Sequence, residues 1–550
     1  METNVLSEER KVLNRNKWAY SIGGIGRDMI YQLIATFFIT YIQYSGLGLT
    51  ATQFSIIGIM LVVGRIWDAV NDPFMGSIVE NTHTKWGKFR PWILIGALLS
   101  GIVIIFMFNF RPTGWGFVIF FFLIYLLWEA AFTLNDIPYW SLIPALSKNK
   151  KDRDTITTMV VVFAGIGAFA GNAIISLTTV GNMVRGYSMI SYTFVLFFIA
   201  CSCLTAFGVK EPKEDEVAVK AKKVGLKDMF RVIKNNDQLL WSSFALMLYS
   251  IGSALLTALG YNWFYLEIGY NGTLTMIFIV SFAVSNIVIQ SLYSTLAKRF
   301  TRKQLMKYAF ICLAFGYAML LLLGWTDVLP INIYTACLFG LFVFGGQAIF
   351  YMVIIVDMTN TIEYNEYKTG ERNEAIVFSL RPFVAKLSSA LEGLIVTMVL
   401  VISGIYIMSQ NVAELENQLS IFNELSATEQ ATFVTNAQNG DVILDDCDLE
   451  ADQIAIIYAA LQNPDNEVFK TVDGKLVMTI DKAADEVFLE NGTTTMRLML
   501  RIAITIIPIV LILGSMLVLN KRFIIDEIYY EKITAETKAK IALSENKAEA

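Results

Sequence analysis

The chain is 550 residues long, 55% hydrophobic and only 17% charged, with a net charge of −5 and a mean hydropathy of +0.54. A soluble domain of this size needs far more polar surface to cover its core, which excludes a soluble enzyme or binding module. Long apolar stretches recur instead, each about the length that crosses a hydrocarbon layer of roughly 30 Å.

Taken in chain order, the spans are expected near 19–44, 53–79, 91–108, 115–139, 157–180 and 189–209, then 238–268, 274–297, 306–324, 331–361, 375–408 and 495–519. The first residues lack the basic start and small-residue cleavage site of a secretory signal, so no cleavable leader is expected. Basic residues gather in alternate loops: Lys85, Lys88 and Arg90 after the second span, Lys148, Lys150, Lys151 and Arg153 after the fourth, Lys298, Arg299, Arg302 and Lys303 after the eighth, and Lys368 and Arg372 after the tenth. Arg111 and Arg185 stand alone in the intervening loops. This asymmetry places both termini in the cytoplasm of a cell whose inner or plasma membrane holds the chain.

The expected division is two bundles of six spans: residues 1–209, then a charged cytoplasmic linker at 210–237, then 238–408 with the last span at 495–519 and a tail at 520–550. A repeated pattern supports duplication, since the fourth and tenth spans run from Asp136 and Asp357 respectively into short basic loops. Residues 409–494 break the pattern with a polar, strongly acidic insert whose lysines are Lys470, Lys475 and Lys482, extracytoplasmic by topology. Within it, two β-prone runs flanking Asp473-Gly474 read as a hairpin, and Asp452 to Leu461 as a short amphipathic helix. The insert is either a tolerated loop or a small cap that modulates access or recruits a partner.

Cys201, Cys203, Cys312 and Cys337 lie in apolar spans and Cys447 in the insert, where they read as small apolar fillers. His83 is the only histidine and has no nucleophile or metal ligand beside it. With no nucleophile–base pair, ligand cluster or phosphate loop, an enzyme is not expected, nor is a cofactor.

An ionisable group at bilayer depth costs several kcal/mol and asks for a reason. In the second span Asp68 and Asp72 share a helix face, with Arg65 one turn earlier and Asn71 beside them. Two carboxylates close together in low dielectric need a bound cation, a shared proton, or the arginine. On the fourth span Glu129, Thr133, Asp136 and Trp140 form one stripe. A Thr133 hydroxyl facing Asp68 and Asp72 adds an oxygen ligand for Na⁺, while Asp136 with Trp140 pairs a hydroxyl acceptor with an aromatic plate suited to a pyranose. Asp28 and Tyr31 in the first span repeat that chemistry. The second half supplies Lys386, deep in the eleventh span, and Arg381 before Pro382; Lys386 is expected to pair with carboxylates of the first bundle and to couple cation entry to movement.

These residues carry a resemblance to a family. Arg65-Ile-Trp-Asp-Ala-Val-Asn-Asp-Pro-Phe-Met-Gly76, Lys85-Trp-Gly-Lys-Phe-Arg-Pro-Trp-Ile-Leu-Ile-Gly96, Asp136-Ile-Pro-Tyr-Trp-Ser-Leu-Ile-Pro144 and Ile362-Glu-Tyr-Asn-Glu-Tyr-Lys368 closely resemble the glycoside–pentoside–hexuronide:cation symporters. The resemblance implies an all-α, major-facilitator fold of about twelve helices and cation-coupled sugar uptake. It places Asp68, Asp72 and Thr133 on the cation site, Asp28, Asp136, Trp140 and Lys386 on sugar-binding and coupling positions, and Tyr351 where the family has an aromatic residue near the sugar. Three departures stand out: Val161 where the family's fifth span has a sugar-binding arginine, Glu129 in place of a glycine, and the extra Arg381. Arg381 is expected to take over part of the missing arginine's role, and Glu129 to favour proton use beside the cation site. The expected partners are a sugar, the coupling Na⁺ or H⁺ and the lipid bilayer, with no nucleic acid. A lysophospholipid or amphiphile transporter of the same fold, and a membrane sensor that uses the insert, are the alternatives.

Overall fold

The computed structural model describes residues 2–82, 84–147, 150–211, 236–325, 329–370, 374–424, 426, 428, 469–472, 475–478, 488 and 492–537. His83, Lys148, Arg372, Cys447, the expected short helix at 452–461 and most of the linker lie outside these residues. Eleven helices among the described residues are long and apolar enough to cross a membrane. They are α3 (Ala51–Glu80), α4 (Arg90–Asn109), α5 (Trp115–Leu146), α6 (Lys150–Thr179), α7 (Met183–Gly208), α8 (Asp237–Glu267), α9 (Gly272–Leu296), α10 (Arg302–Leu322), α11 (Ile333–Thr369), α12 (Glu374–Ile402) and α14 (Thr494–Arg522). The first expected span is a broken pair, α1 (Glu2–Ala35) and α2 (Phe38–Tyr44). The break falls at Thr36, whose hydroxyl lies 2.7 Å from the Gln32 side chain.

The eleventh expected span is also interrupted. α12 stops at Ile402, Gly404 takes the left-handed conformation (φ +79°), and α13 (Ile405–Glu424) follows. Its first half is buried rather than solvated, with Ser409, Val412 and Ala413 almost fully covered, so the expected insert begins as a packed helix. Further on, β1 (Phe469–Val472) and β2 (Lys475–Met478) pair antiparallel with Val472 opposite Lys475 across a two-residue connection, the expected hairpin.

The chain forms two compact units: residues 1–220, 261–279 and 397–498 in the first, and 221–260, 280–396 and 499–550 in the second. In the first unit α1 packs on α6 and α7, and α5 on α3 and α4. These contacts rely on close backbone approach. A Cβ at Gly167 on α6 would lie 2.2 Å from the Ile25 carbonyl oxygen on α1, and one at Gly96 on α4 would lie 2.4 Å from the Asn135 amide on α5. Because the obstacle is backbone, only the helices can move. Gly167→Ala is therefore expected to destabilise the protein by about 2 kcal/mol; an unchanged melting curve in detergent would show that the helices separate freely. Between α1 and α5, Tyr20 and Tyr139 stack at 4.5 Å, and each hydroxyl donates to the other's backbone carbonyl at 2.8 and 2.7 Å. In the second unit Tyr249 on α8 donates to the Gln347 carbonyl on α11, whose side-chain amide donates to the Tyr317 hydroxyl on α10.

Each half also closes its own third helix in the same manner. Glu211, just past the end of α7, accepts the backbone N–H groups of Lys88 and Arg90 at the start of α4, at 2.6 and 2.9 Å. Glu527, just past the end of α14, accepts the Arg302 N–H at the start of α10 at 2.7 Å, while the Arg302 guanidinium pairs with Asp357 on α11. Each carboxylate satisfies donors that a helix start leaves open and sits at the positive end of the helix dipole. Partial burial raises the Glu527 pKa, but the Arg302 backbone and guanidinium donors outweigh it and hold the carboxyl below its usual range. Outward faces of the helices, such as Ile95, Leu98, Ile102 and Phe106 on α4, expose large apolar side chains, as a lipid-facing surface requires.

Candidate functional site

α5 is the organising element. Its long apolar run carries Glu129, Thr133, Asp136 and Trp140 along one stripe, with α3 packed against it and α1 touching it. Two clusters result, both within the first compact unit.

The first joins α5 to α3. Asp68 and Thr133 are each 3% exposed, and the Thr133 hydroxyl lies 3.1 Å from Asp68 Oδ1 and 2.8 Å from the Glu129 carbonyl oxygen. A hydroxyl has one proton, so it satisfies one of these acceptors at a time and keeps lone pairs for a cation. Asn71 and Asp72, one turn further along α3, are half-buried. Arg65 forms an ion pair with Glu129 at 3.3 Å, with both side chains almost completely buried. Glu129, expected to favour proton use beside the cation position, is thus paired with Arg65 across the α3–α5 contact.

The second cluster joins α5 to α1 and centres on a residue that the sequence reading passed over. Arg27, 8% exposed, donates from Nη1 to Asp28 and from Nη2 and Nε to Asp136 Oδ1, the Nε contact being 2.8 Å. Its guanidinium lies 4.9 Å from the Trp140 ring centre, 5.6 Å from Tyr139 and 5.8 Å from Phe132. Asp28, Asp136 and Trp140 are thus brought together, with one face of the tryptophan covered by the arginine. Tyr31 stacks instead on Phe132 at 5.5 Å. The available signal was a charge at bilayer depth beside Asp28.

In the second unit Arg381 donates to the Tyr351 hydroxyl at 2.6 Å and lies over its ring, and Tyr351 stacks on Tyr249. Lys386 is half-buried on α12, one turn past Pro382. Among the described residues the guanidinium that meets Asp136 is that of Arg27, and Val161, where the family's arginine is absent, is 56% exposed. Among the described residues no group of three or more His, Cys, Asp or Glu side chains is placed to hold a metal ion. Any cation at Asp68 would therefore draw on hydroxyl or carbonyl oxygens as well.

Residues 19–428 match the family model of the MFS/sugar transport proteins, about three quarters of the chain. The chain belongs to this family. It is 29% identical over 409 residues to the lactose permease of Lactobacillus helveticus, a match covering 70% of the chain and 62% of that protein. It is 24% identical over 407 residues to the raffinose carrier protein of Pediococcus pentosaceus, with the same coverage of 70% and 62%. The chain thus spans less than two thirds of these relatives' length. With the glucuronide carrier protein homolog of Escherichia coli (strain K12), it shares 26% identity over 401 residues, 71% of the chain and 84% of that protein. These relatives bear out the resemblance to glycoside–pentoside–hexuronide:cation symporters. Among solved structures, a bacterial homolog of the lysosomal transporter Spinster, in an inward-facing and unoccupied conformation, matches with a TM-score of 0.57 at 12% identity over 94% of this chain and 98% of that one. The nucleoside transporter NupG matches with a TM-score of 0.51 at 14% identity, over 74% and 97%. The fold is that of the major-facilitator transporters, in a multi-pass membrane protein.

Proposed function

We propose that the protein is a secondary transporter that carries a sugar together with Na⁺ or H⁺ by alternating access. The observation that supports this most directly is the spacing on α5. Thr133 reaches Asp68, and Asp136, three residues on, holds Arg27. Three residues of helix rise only about 4.5 Å, so Thr133, which reaches Asp68, and Asp136, which meets the sugar, sit on one rigid rod. A cation that draws Asp68 and Thr133 together fixes the rotation of α5 and with it the position of Asp136 and Trp140. Cation binding then raises sugar affinity, and the reverse must hold to the same degree.

In this reading Asp68, Asp72, Asn71 and Thr133 supply cation ligands, Arg27, Asp28, Asp136 and Trp140 hold the sugar, and Lys386, Tyr351 and Arg381 keep their expected roles in sugar binding and coupling. The basic loops and both termini face the cytoplasm of a bacterial cell membrane. One charge moving down 100 mV provides about 2.3 kcal/mol, enough for roughly fifty-fold accumulation of a neutral sugar. The relatives named for lactose, raffinose and glucuronide support a glycoside as cargo.

The test is sugar-evoked current from reconstituted full-length protein, over a panel of glycosides, pentosides and uronides, with and without Na⁺ at two pH values. An inward positive current that disappears in Asp72→Asn is the expected result, and its Na⁺ or pH dependence identifies the ion. Silence across the panel from folded protein would overturn the sugar reading and turn attention to amphiphiles.

A further inference from the structure

The Arg27 cluster is closed to anions by its own counter-charges. Three of its five guanidinium N–H groups meet aspartates, through Nη1 to Asp28 and through Nε and Nη2 to Asp136, and Arg27 is only 8% exposed, so the other two have little access to a ligand. One of its faces lies against the Trp140 ring. The nearby Tyr20 and Tyr139 hydroxyls are used on each other's backbone carbonyls, so they offer no further donor. One arginine against two aspartates leaves the cluster with a net charge of −1. The two carboxylates, 23% and 28% exposed, each have a second oxygen that accepts no bond among the described residues. What the cluster presents to a ligand is therefore acceptors, and acceptors take hydroxyl donors.

We infer that this carrier selects neutral sugars and rejects uronides, with Arg27, held between Asp28 and Asp136, as the specificity-determining group; the inference rests on the sugar reading above. A neutral sugar adds its hydroxyls to the open carboxylate oxygens and disturbs no ion pair. A uronate carboxylate has no proton to donate. To approach Arg27, which is 8% exposed, it must come against the two carboxylates of a cluster whose net charge is −1. Selectivity of this kind comes from a repulsive element as much as from an attractive one.

The experiment compares ligand pairs that differ only at C6, such as methyl β-galactoside with methyl β-galacturonide and methyl β-glucoside with methyl β-glucuronide. Binding to the purified full chain is read by thermal stabilisation and uptake by reconstituted vesicles. The neutral member of at least one pair is expected to bind, and its uronide to bind about 100-fold more weakly or not at all. Asp28→Asn frees one edge of Arg27 and is expected to gain uronide binding, narrowing the gap to about tenfold. A uronide bound as tightly as its neutral partner by the wild-type protein overturns the inference and leaves sugar transport standing. An Asp28→Asn protein that folds but gains nothing removes Arg27 as the selector. If that variant does not fold, the wild-type pairs alone decide. Binding of no sugar by a cooperatively melting protein overturns the sugar reading and this inference with it.

Discussion

Arg27→Gln is expected to abolish sugar uptake and to lower stability by about 3 kcal/mol, because it strips the cation from two carboxylates that the fold holds together. Arg27 is the only group in the cluster that touches Asp28, Asp136 and the Trp140 face at once. Glutamine keeps hydrogen-bonding capacity but supplies neither the charge nor donors along two edges. Arg27→Lys keeps the charge as a point and is expected to retain much of the stability while losing most of the uptake, since one ammonium cannot hold both aspartates in a fixed fork. The decisive measurement is a double-mutant comparison. Removing one aspartate as well, in Arg27→Gln with Asp136→Asn, should recover part of the lost melting temperature. If the double variant is less stable than the single one by the full cost of each, the three side chains do not act as a unit.

The second large effect is expected at Arg65 and Glu129. Both are nearly inaccessible, at 6% and 3% exposure, and lie 3.3 Å apart. Arg65→Leu leaves a buried carboxylate beside Asp68 and should cost about 3–5 kcal/mol, whereas replacing both residues by leucine should cost much less. Glu129→Gln asks a functional question. It releases Arg65, one turn before Asp68 on α3, to compete with the coupling cation for that carboxylate. The cation concentration that half-activates uptake is expected to rise about tenfold, with little change in maximal rate. A maximal rate that collapses at unchanged cation dependence would place Glu129 in the movement of the protein rather than in the cation site.

The parts legible in the sequence were those that lie along one element. The apolar runs located the membrane helices, the Asp473-Gly474 turn located the hairpin, and the stripe from Glu129 to Trp140 located the face of α5 that the clusters use. What was not legible depends on reach between elements. Arg27 and Asp28 are consecutive, so a helical wheel sets them about 100° apart and predicts no meeting. The long arginine side chain folds back to Asp28 while spanning to Asp136, 109 residues later. Glu129 likewise meets its partner Arg65 only because α3 packs on α5. The break between α1 and α2 falls at Thr36 and Phe37, where no proline or glycine announces it, whereas the turn after α12 uses Ser403 and Gly404.

The insert, finally, has a mechanical consequence through Glu416 on α13. One of its carboxylate oxygens accepts the Met183 N–H at the start of α7 at 2.8 Å, the other accepts the Tyr270 hydroxyl at 2.5 Å, and the neighbouring Asn182 side chain makes no capping bond of its own. Phe488, fully buried at the far end of the insert, packs on Tyr44, Tyr265 and Tyr270. Both ends of the insert therefore meet at the same tyrosine, in the turn between α8 and α9, so neither end can shift without disturbing the other's contact.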